Sequence, residues 1–474
     1  MGTQRRWLVC ALLASALVAP ACGNRLSHEE VLAQNGVGAA GQRAAGGAVG
    51  AGDGSAGGDT VSGAAQGSAD ATGANGGTGG GSGAGAVAGT SGGGAGGTGT
   101  GAETASGAGA GTKAPLKIAM VGWLSGIGGQ TTTPARDVLV AWSKWVNAKG
   151  GINGHPVQLY VADDGGNEAR SVSIVRDLYE NKHIIALVYY GSGSAVAVAN
   201  YAKSVSLPII GGVTVEAVWN QNPMMFPASA STDGHFWGAA KLALDAGAKK
   251  VATVYCTEVS SCQQSNDTFV KYAKELGLEV VYQGRISFTQ PDYTAECLQM
   301  HNAGAQAVVP VTENSSIVRL AQSCDRQGYK PTWDLSTTND GMVKLPQFDN
   351  AIGAVISFPW FLHGDSPAIA EYTQALQKYA PGRVDDGVDF QSGAWVAGKL
   401  FERAAAKVSD NPTKDEILEG LWAMRGESLG GLLPGGLART FTRNQPTPET
   451  FCVFDPRIQG GKWVAPRGTT PICR

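Results

Sequence analysis

Leu116-Lys117-Ile118-Ala119-Met120-Val121-Gly122 and, further on, Asn147-Ala148-Lys149-Gly150-Gly151-Ile152-Asn153-Gly154 frame the part of the chain whose reading decides the fold. The first run is short, apolar and closed by a glycine, which suits a strand buried on both faces. Beyond it, Pro134 is placed to open a helix carrying Val138, Leu139, Trp142, Trp145 and Val146 at helical intervals. Gly150 and Gly151 stop that helix. A second strand is expected over 157–162, ending in Asp163-Asp164-Gly165-Gly166. Helix, strand, helix and strand follow over 169–179, 184–188, 194–205 and 207–210. This βαβ rhythm calls for a largely parallel sheet with helices on both faces.

The rhythm then restarts, with strands over 251–255, 278–282 and 307–311 and helices over 266–276, 292–301 and 315–327. A second α/β unit accounts for this better than one enlarged sheet. Long helical patterns cover 388–407 and 413–424. Phe441, Phe451, Val453 and Phe454, then Gly460-Gly461 before Trp463, predict antiparallel strands that finish the fold.

Outward from this core, the N-terminus has the order of an export signal. Arg5 and Arg6 precede an apolar stretch over 7–20, and Ala19-Pro20-Ala21-Cys22 follows. The apolar part is too short to span a bilayer as a mature helix. The end of the segment resembles a bacterial lipoprotein box, which implies a signal peptide over 1–21 and lipidation of Cys22; an ordinary cleavage site beside an incidental cysteine is the plainer alternative. From 36 to 113 the chain is almost all Gly, Ala, Ser and Thr, with no aromatic residue between Cys22 and Lys113. Such a segment has little apolar surface to set against its loss of backbone entropy. A disordered tether over 22–114 is therefore expected.

The formal charge is −3 with no long basic run, which gives no support to nucleic-acid binding. Cys256, Cys262, Cys297, Cys324, Cys452 and Cys473 remain in the folded region. Six cysteines in an exported chain allow three disulfides in fifteen complete pairings. Sequential pairing, 256–262, 297–324 and 452–473, is favoured; metal ligation has poor spacing and no His pair beside it.

The stretches 118–122, 125–126 and 147–154, then 157–164, Gly191 to Ser194 and Leu207-Pro208-Ile209-Ile210, together resemble the branched-chain amino-acid-binding (leucine/isoleucine/valine-binding) family of ABC-transporter receptors, lipoproteins of the periplasmic-binding-protein type I fold. The resemblance covers nearly all of 115–474. It implies an α/β fold of two lobes, each a mostly parallel sheet flanked by helices, joined by three crossovers. It places lobe 1 at 115–228 plus 359–433 and lobe 2 at 229–358 plus 434–474. It implies a receptor on the bacterial extracytoplasmic face, held to the membrane by its N-terminal lipid, that closes over an amino acid or related metabolite and hands it to an ABC permease. A sensor or surface protein using the same closure is the alternative. No cofactor is expected.

Open α/β sheets bind ligands beyond the carboxyl ends of their strands, so contacts are sought there. Gly191-Ser192-Gly193-Ser194 lies between a strand and a helix, where exposed amides and the hydroxyls of Ser192 and Ser194 suit a carboxylate; a glycine-rich turn with a serine cap is the plainer reading. The resemblance strengthens Ser192, since relatives commonly bind an amino-acid carboxylate there. Val213 and Thr214 follow the next strand, where relatives use small and hydroxyl residues, although the usual Ser-Pro-x-Ala-Thr-like pattern is absent. Gln130 lies in the first strand–helix loop and offers donor or acceptor. Glu313, Asn339 and Asp340 sit in second-lobe loops, the acids as partners for an ammonium or as solvated loop residues. The tyrosine expected after the first strand of lobe 2 is missing; Cys256-Thr257-Glu258-Val259-Ser260-Ser261-Cys262 stands there instead.

No enzyme is expected. Neither HExxH nor a phosphate-loop GxxxxGK[ST] occurs, and the adjacent acids at 163–164 and 385–386 are not spaced around a bond as glycosidase carboxyls are.

Overall fold

The computed structural model describes residues 103–106, 112–191, 195–335, 340–353, 366–384 and 389–474. The central strand of the first sheet is β2 (Leu116–Gly122), apolar but for the half-buried Lys117. It pairs in parallel with β3 (Val157–Asp163) on one side and β4 (Ala186–Tyr190) on the other. A strand so placed has helices over both faces, and its side chains divide accordingly. Ile118 and Met120 join one core with Val138 and Trp142 of α1 (Gly126–Ala148). Ala119 and Val121 join another with Ile174 and Val175 of α2 (Glu168–Glu180) and Val198 of α3 (Val196–Ser204). The sheet continues through β5 (Ile209–Gly212) and β6 (Met225–Phe226), and its order is β1-β3-β2-β4-β5-β6.

β1 (Glu103–Ser106) is the antiparallel member, laid along β3. These four residues belong to the stretch expected to be a disordered tether. They fall in a glycine-free run with a β-branched Thr104, so the backbone there loses less entropy on ordering than its neighbours would.

After α4 (Thr232–Asp245) a second, wholly parallel sheet forms in the order β10-β9-β7-β8. β7 (Lys250–Cys256) lies between β8 (Glu279–Ile286) and β9 (Ala307–Val311), and β10 (Thr332–Trp333) is the far edge. Val251, Val309 and Val311 pack with α4 and with Phe269 of α5 (Ser260–Glu275). Val254 and Val308 pack on the other face with α6 (Thr294–Asn302) and α7 (Asn314–Arg326). A short α8 (Asp340–Val343) follows. The core of the first sheet takes up the chain again with α9 (Pro367–Tyr379), α10 (Asp389–Ala405) and α11 (Lys414–Trp422). The second takes it up once more at Val453, Ile458 and Ile472. The chain ends in two antiparallel pairs, β11 (Cys452–Val453) with β14 (Ile472–Cys473), and β12 (Arg457–Gln459) with β13 (Lys462–Val464). The disulfides are Cys256–Cys262, Cys297–Cys324 and Cys452–Cys473. They close the loop after β7, join α6 to α7, and tie β11 to β14.

Two helix starts come earlier than the sequence predicts: α5 begins at Ser260 rather than at 266, and α1 departs further still. α1 begins at Gly126, and Pro134 lies inside it rather than opening it. The extra turns are held from outside the ladder: Thr132 Oγ1 donates to the Trp123 carbonyl and Thr133 Oγ1 to that of Leu124. The carbonyl facing the missing Pro134 N–H belongs to solvent-exposed Gln130, which reduces the penalty.

α1, α9 and α10 are locked by a charged network. Lys399 Nζ lies 3.1 Å from Glu371 and 2.7 Å from Glu402. Glu371 also accepts from Trp145 Nε1 at 2.9 Å and Lys149 Nζ at 2.7 Å. Burial alone would raise the Glu371 carboxyl, but the bonds from Lys149 and Trp145 and the Lys399 charge outweigh it and hold it at about 2. A carboxyl depressed from 4.5 contributes stability fully present above that pH and lost as pH falls toward 2. Glu371→Gln is expected to lower stability at neutral pH and to flatten the acid limb between those two values. Urea unfolding midpoints measured across that pH range check it, and an unchanged acid limb refutes it.

Candidate functional site

The carboxyl ends of the two sheets meet at a cavity of about 160 Å³. Trp123 enters it directly after β2, Gly191 after β4, and Val213 and Val215 after β5. From the second sheet come Val259 and Cys262 after β7, Phe288 after β8, and Val311, Thr312 and Glu313 at the end of β9. His235 and Phe236 near the start of α4, Phe390 of α10, and Thr131 and Thr132 of α1 also line it.

Glycine positions explain how the Trp123 wall is fixed. A Cβ at Gly128 would stand 2.1 Å from the Trp123 ring, and one at Gly166 2.7 Å from it. The indole is therefore clamped between two bare backbones. Gly191 is glycine for a similar reason, since a Cβ there would come within 2.3 Å of Tyr189 Oη and 2.6 Å of Asp164 Oδ2.

The second-sheet lip is built by local closure. The Cys256–Cys262 bridge ties the end of β7 to the first turn of α5. Within that loop Glu258 Oε1 accepts from the Phe288 amide at 2.8 Å and from Ser287 Oγ at 2.5 Å. Burial alone would raise the Glu258 carboxyl, yet the Ser287 hydroxyl and backbone amides hold it below its usual value. Arg319 Nη2 donates to the Phe288 carbonyl at 2.7 Å, so both ends of that residue's backbone are gripped.

Two carboxylates line the cavity, and among the described residues no Lys or Arg does. Glu216 accepts from the Ala195 amide at 2.9 and 3.1 Å. Glu313 is the N-cap of α7, accepting from the Ser315 and Ser316 amides at 2.6 and 2.7 Å, with Arg319 3.7 Å away.

Of the residues named from sequence, Gly191, Val213 and Glu313 lie on this wall. Thr214 is buried behind it; its Oγ1 donates to the Ala230 carbonyl and meets Ser229 Oγ, both at 2.9 Å, while Thr232 donates back to the Thr214 carbonyl. Gln130 is solvent-exposed on α1. Ser192, Ser194, Asn339 and the Asp340 side chain lie outside the described residues, as does Cys22. Sequence reasoning missed Trp123, His235, Phe236, Phe288 and Phe390.

A larger groove of about 940 Å³ runs along the β1–β3 edge. In it Asp137 lies 2.6 Å from Arg136 and 2.8 Å from Arg383, and no residue of the second sheet lines it. Gly426-Glu427-Ser428-Leu429-Gly430 has the spacing of a nucleophile elbow. It forms a 3₁₀ turn after α11 rather than a strand-to-helix turn, so Ser428 lacks the elbow's context.

A family model described as periplasmic binding protein matches residues 115–451. A Leu/Ile/Val-binding protein homolog 7 from Brucella melitensis is 26% identical over 201 residues, 40% of this chain and 49% of that one. The chain thus spans about half the length of the curated relatives it matches. A branched chain amino acid ABC transporter structure from Thermus thermophilus, with bound valine, aligns at 18% identity and a TM-score of 0.67, covering 77% of this chain and 97% of that one. A solute binding protein from R. palustris, in complex with benzoate, aligns at 14% identity and a TM-score of 0.63, covering 76% and 98%. At these identities the likeness shows the fold. With a family model matching 115–451 and two sheets meeting at a shared cavity, the chain belongs to the periplasmic binding protein family.

Proposed function

We propose that this chain is the extracytoplasmic receptor of an ABC importer, which captures a small solute between its lobes and presents it to a permease without transforming it. The observation that carries the reading is the cavity at the carboxyl ends of both sheets, where hinge closure would bury a ligand from two sides. Lobes at 115–228 plus 359–433 and 229–358 plus 434–474 would be the moving bodies. The export signal over 1–21, lipid on Cys22 and the segment 22–114 would hold them at a membrane. Among the described residues no helix is long and apolar enough to cross one.

The cargo class is an amino acid or related small metabolite with a mainly apolar body, as the valine and aromatic walls favour. Solved relatives were captured with valine or benzoate. Mass spectrometry of ligand released from gently purified mature protein, followed by small-angle scattering with and without it, tests the reading. Expected is one small organic molecule that compacts the protein on return. No compaction with that molecule or a broad solute panel would overturn it, and so would chemical turnover of the ligand.

A further inference from the structure

Three polar atoms on the cavity wall are buried without a protein partner: Thr131 Oγ1, on a half-buried residue of α1, and one atom each of His235 and Thr312, which are themselves buried. His235 is 2% exposed and the atom is Nδ1; Thr312 is 8% exposed and the atom is Oγ1. These two residues come from unconnected elements, the start of α4 and the residue after β9, yet both line the same space. Buried polar groups are nearly always paired, so two such orphans on buried residues facing one cavity point to a ligand that pairs them. Around them the wall is apolar and largely aromatic, with Trp123, Phe236, Phe288 and Phe390. A dry cavity of about 150 Å³ holds one benzene-sized body, and this one measures about 160 Å³.

We propose that the cleft selects a single-ring aromatic solute bearing an uncharged hydroxyl, with His235 and Thr312 as the hydrogen-bond partners that read that hydroxyl. The inference rests on the receptor reading and names its substrate class. A hydroxyl donates once and accepts, which matches a neutral imidazole nitrogen and a threonine hydroxyl together. Burial pushes the His235 imidazole down to about 3, so at neutral pH it is uncharged. The two lining carboxylates disfavour an ionised phenolate, which keeps the hydroxyl protonated. A hydroxyphenyl group arrives on a free phenol or on an amino acid, and the chemistry at His235 is the same for both.

The test is calorimetric titration of the mature full chain with two matched pairs, tyrosine against phenylalanine and p-cresol against toluene. In the wild type the hydroxylated member of at least one pair is expected to bind about tenfold more tightly than its partner. His235→Phe keeps an aromatic body and Thr312→Val keeps the shape; in either, when folded, the ratio is expected to fall below about threefold. Which pair binds separates an amino acid from a free phenol. Equal affinities in the wild type, a ratio unchanged in both variants, or compaction only by solutes without a ring hydroxyl would overturn this assignment and leave the receptor standing. Failure of every solute, including any that co-purifies, to compact the protein would overturn the receptor reading and this inference with it.

Discussion

Trp123→Ala weakens capture of the cleft ligand about a hundredfold, equivalent to about 3 kcal/mol, while the folded protein keeps its thermal midpoint within a few degrees. The magnitude follows from what the indole does. It is the largest side chain on the wall, and Gly128 and Gly166 hold its ring without a rotamer to lose on binding. Rigid, well-packed tryptophans are where binding free energy concentrates. The midpoint moves little because the side chain is only half-buried in the first place. Calorimetry with the co-purified solute measures the affinity, and scanning calorimetry the fold. A loss below about threefold would mean that Trp123 is a bystander and that the ligand leans on the phenylalanines alone. Gly128→Val, which drives a side chain into the indole, is expected to reproduce much of the effect without touching the tryptophan.

Arg439→Ala has the largest expected effect on stability, a loss of about 3 kcal/mol. Arg439 is buried, and burial pulls its guanidinium down to about 10, so it remains charged at neutral pH. Nη2 donates to the Ser229 carbonyl and Nη1 to Thr450 Oγ1 at 3.2 Å, while its backbone pairs with Glu427. Ser229 stands where the chain leaves β6 for α4, and Thr450 where it approaches β11. One guanidinium therefore ties together two segments on which the lobes would pivot. Its removal leaves a cavity and a buried carbonyl short of a donor. Urea unfolding measures the loss; a change under about 1 kcal/mol would show that water replaces the bonds and that the segments hold without it.

How much of this was legible in the sequence follows from burial geometry. β2, β7 and β9 are covered on both faces, so each is a mainly apolar run, broken only by Lys117 in β2 and by Lys250 and Thr253 in β7. α4 defeats periodicity for the opposite reason, since Phe236, Trp237, Ala239, Ala240 and Leu242 are all buried and leave only the narrow stripe of Asp233, Lys241 and Asp245 to set the phase. His235 was lost to view with it. The start of α1 was hidden because Ser125-Gly126-Ile127-Gly128-Gly129 reads as loop, whereas Gly128 is required by the ring stacked on it. The aromatic wall was out of reach altogether. Phe288 and Phe390 are far apart in the chain and meet only after both sheets have formed.

The strand at 103–106 bears on how the protein behaves outside its natural setting. β1 covers the outer margin of β3, whose amides and carbonyls on that side would otherwise face water. Open strand margins are templates for pairing between molecules. A shortened form starting at residue 115, the first residue matched by the family, would retain the cavity but expose that margin to its neighbours in a concentrated solution. What looks like the dispensable end of a low-complexity stretch thus covers a sheet margin that, left bare, is expected to pair between molecules.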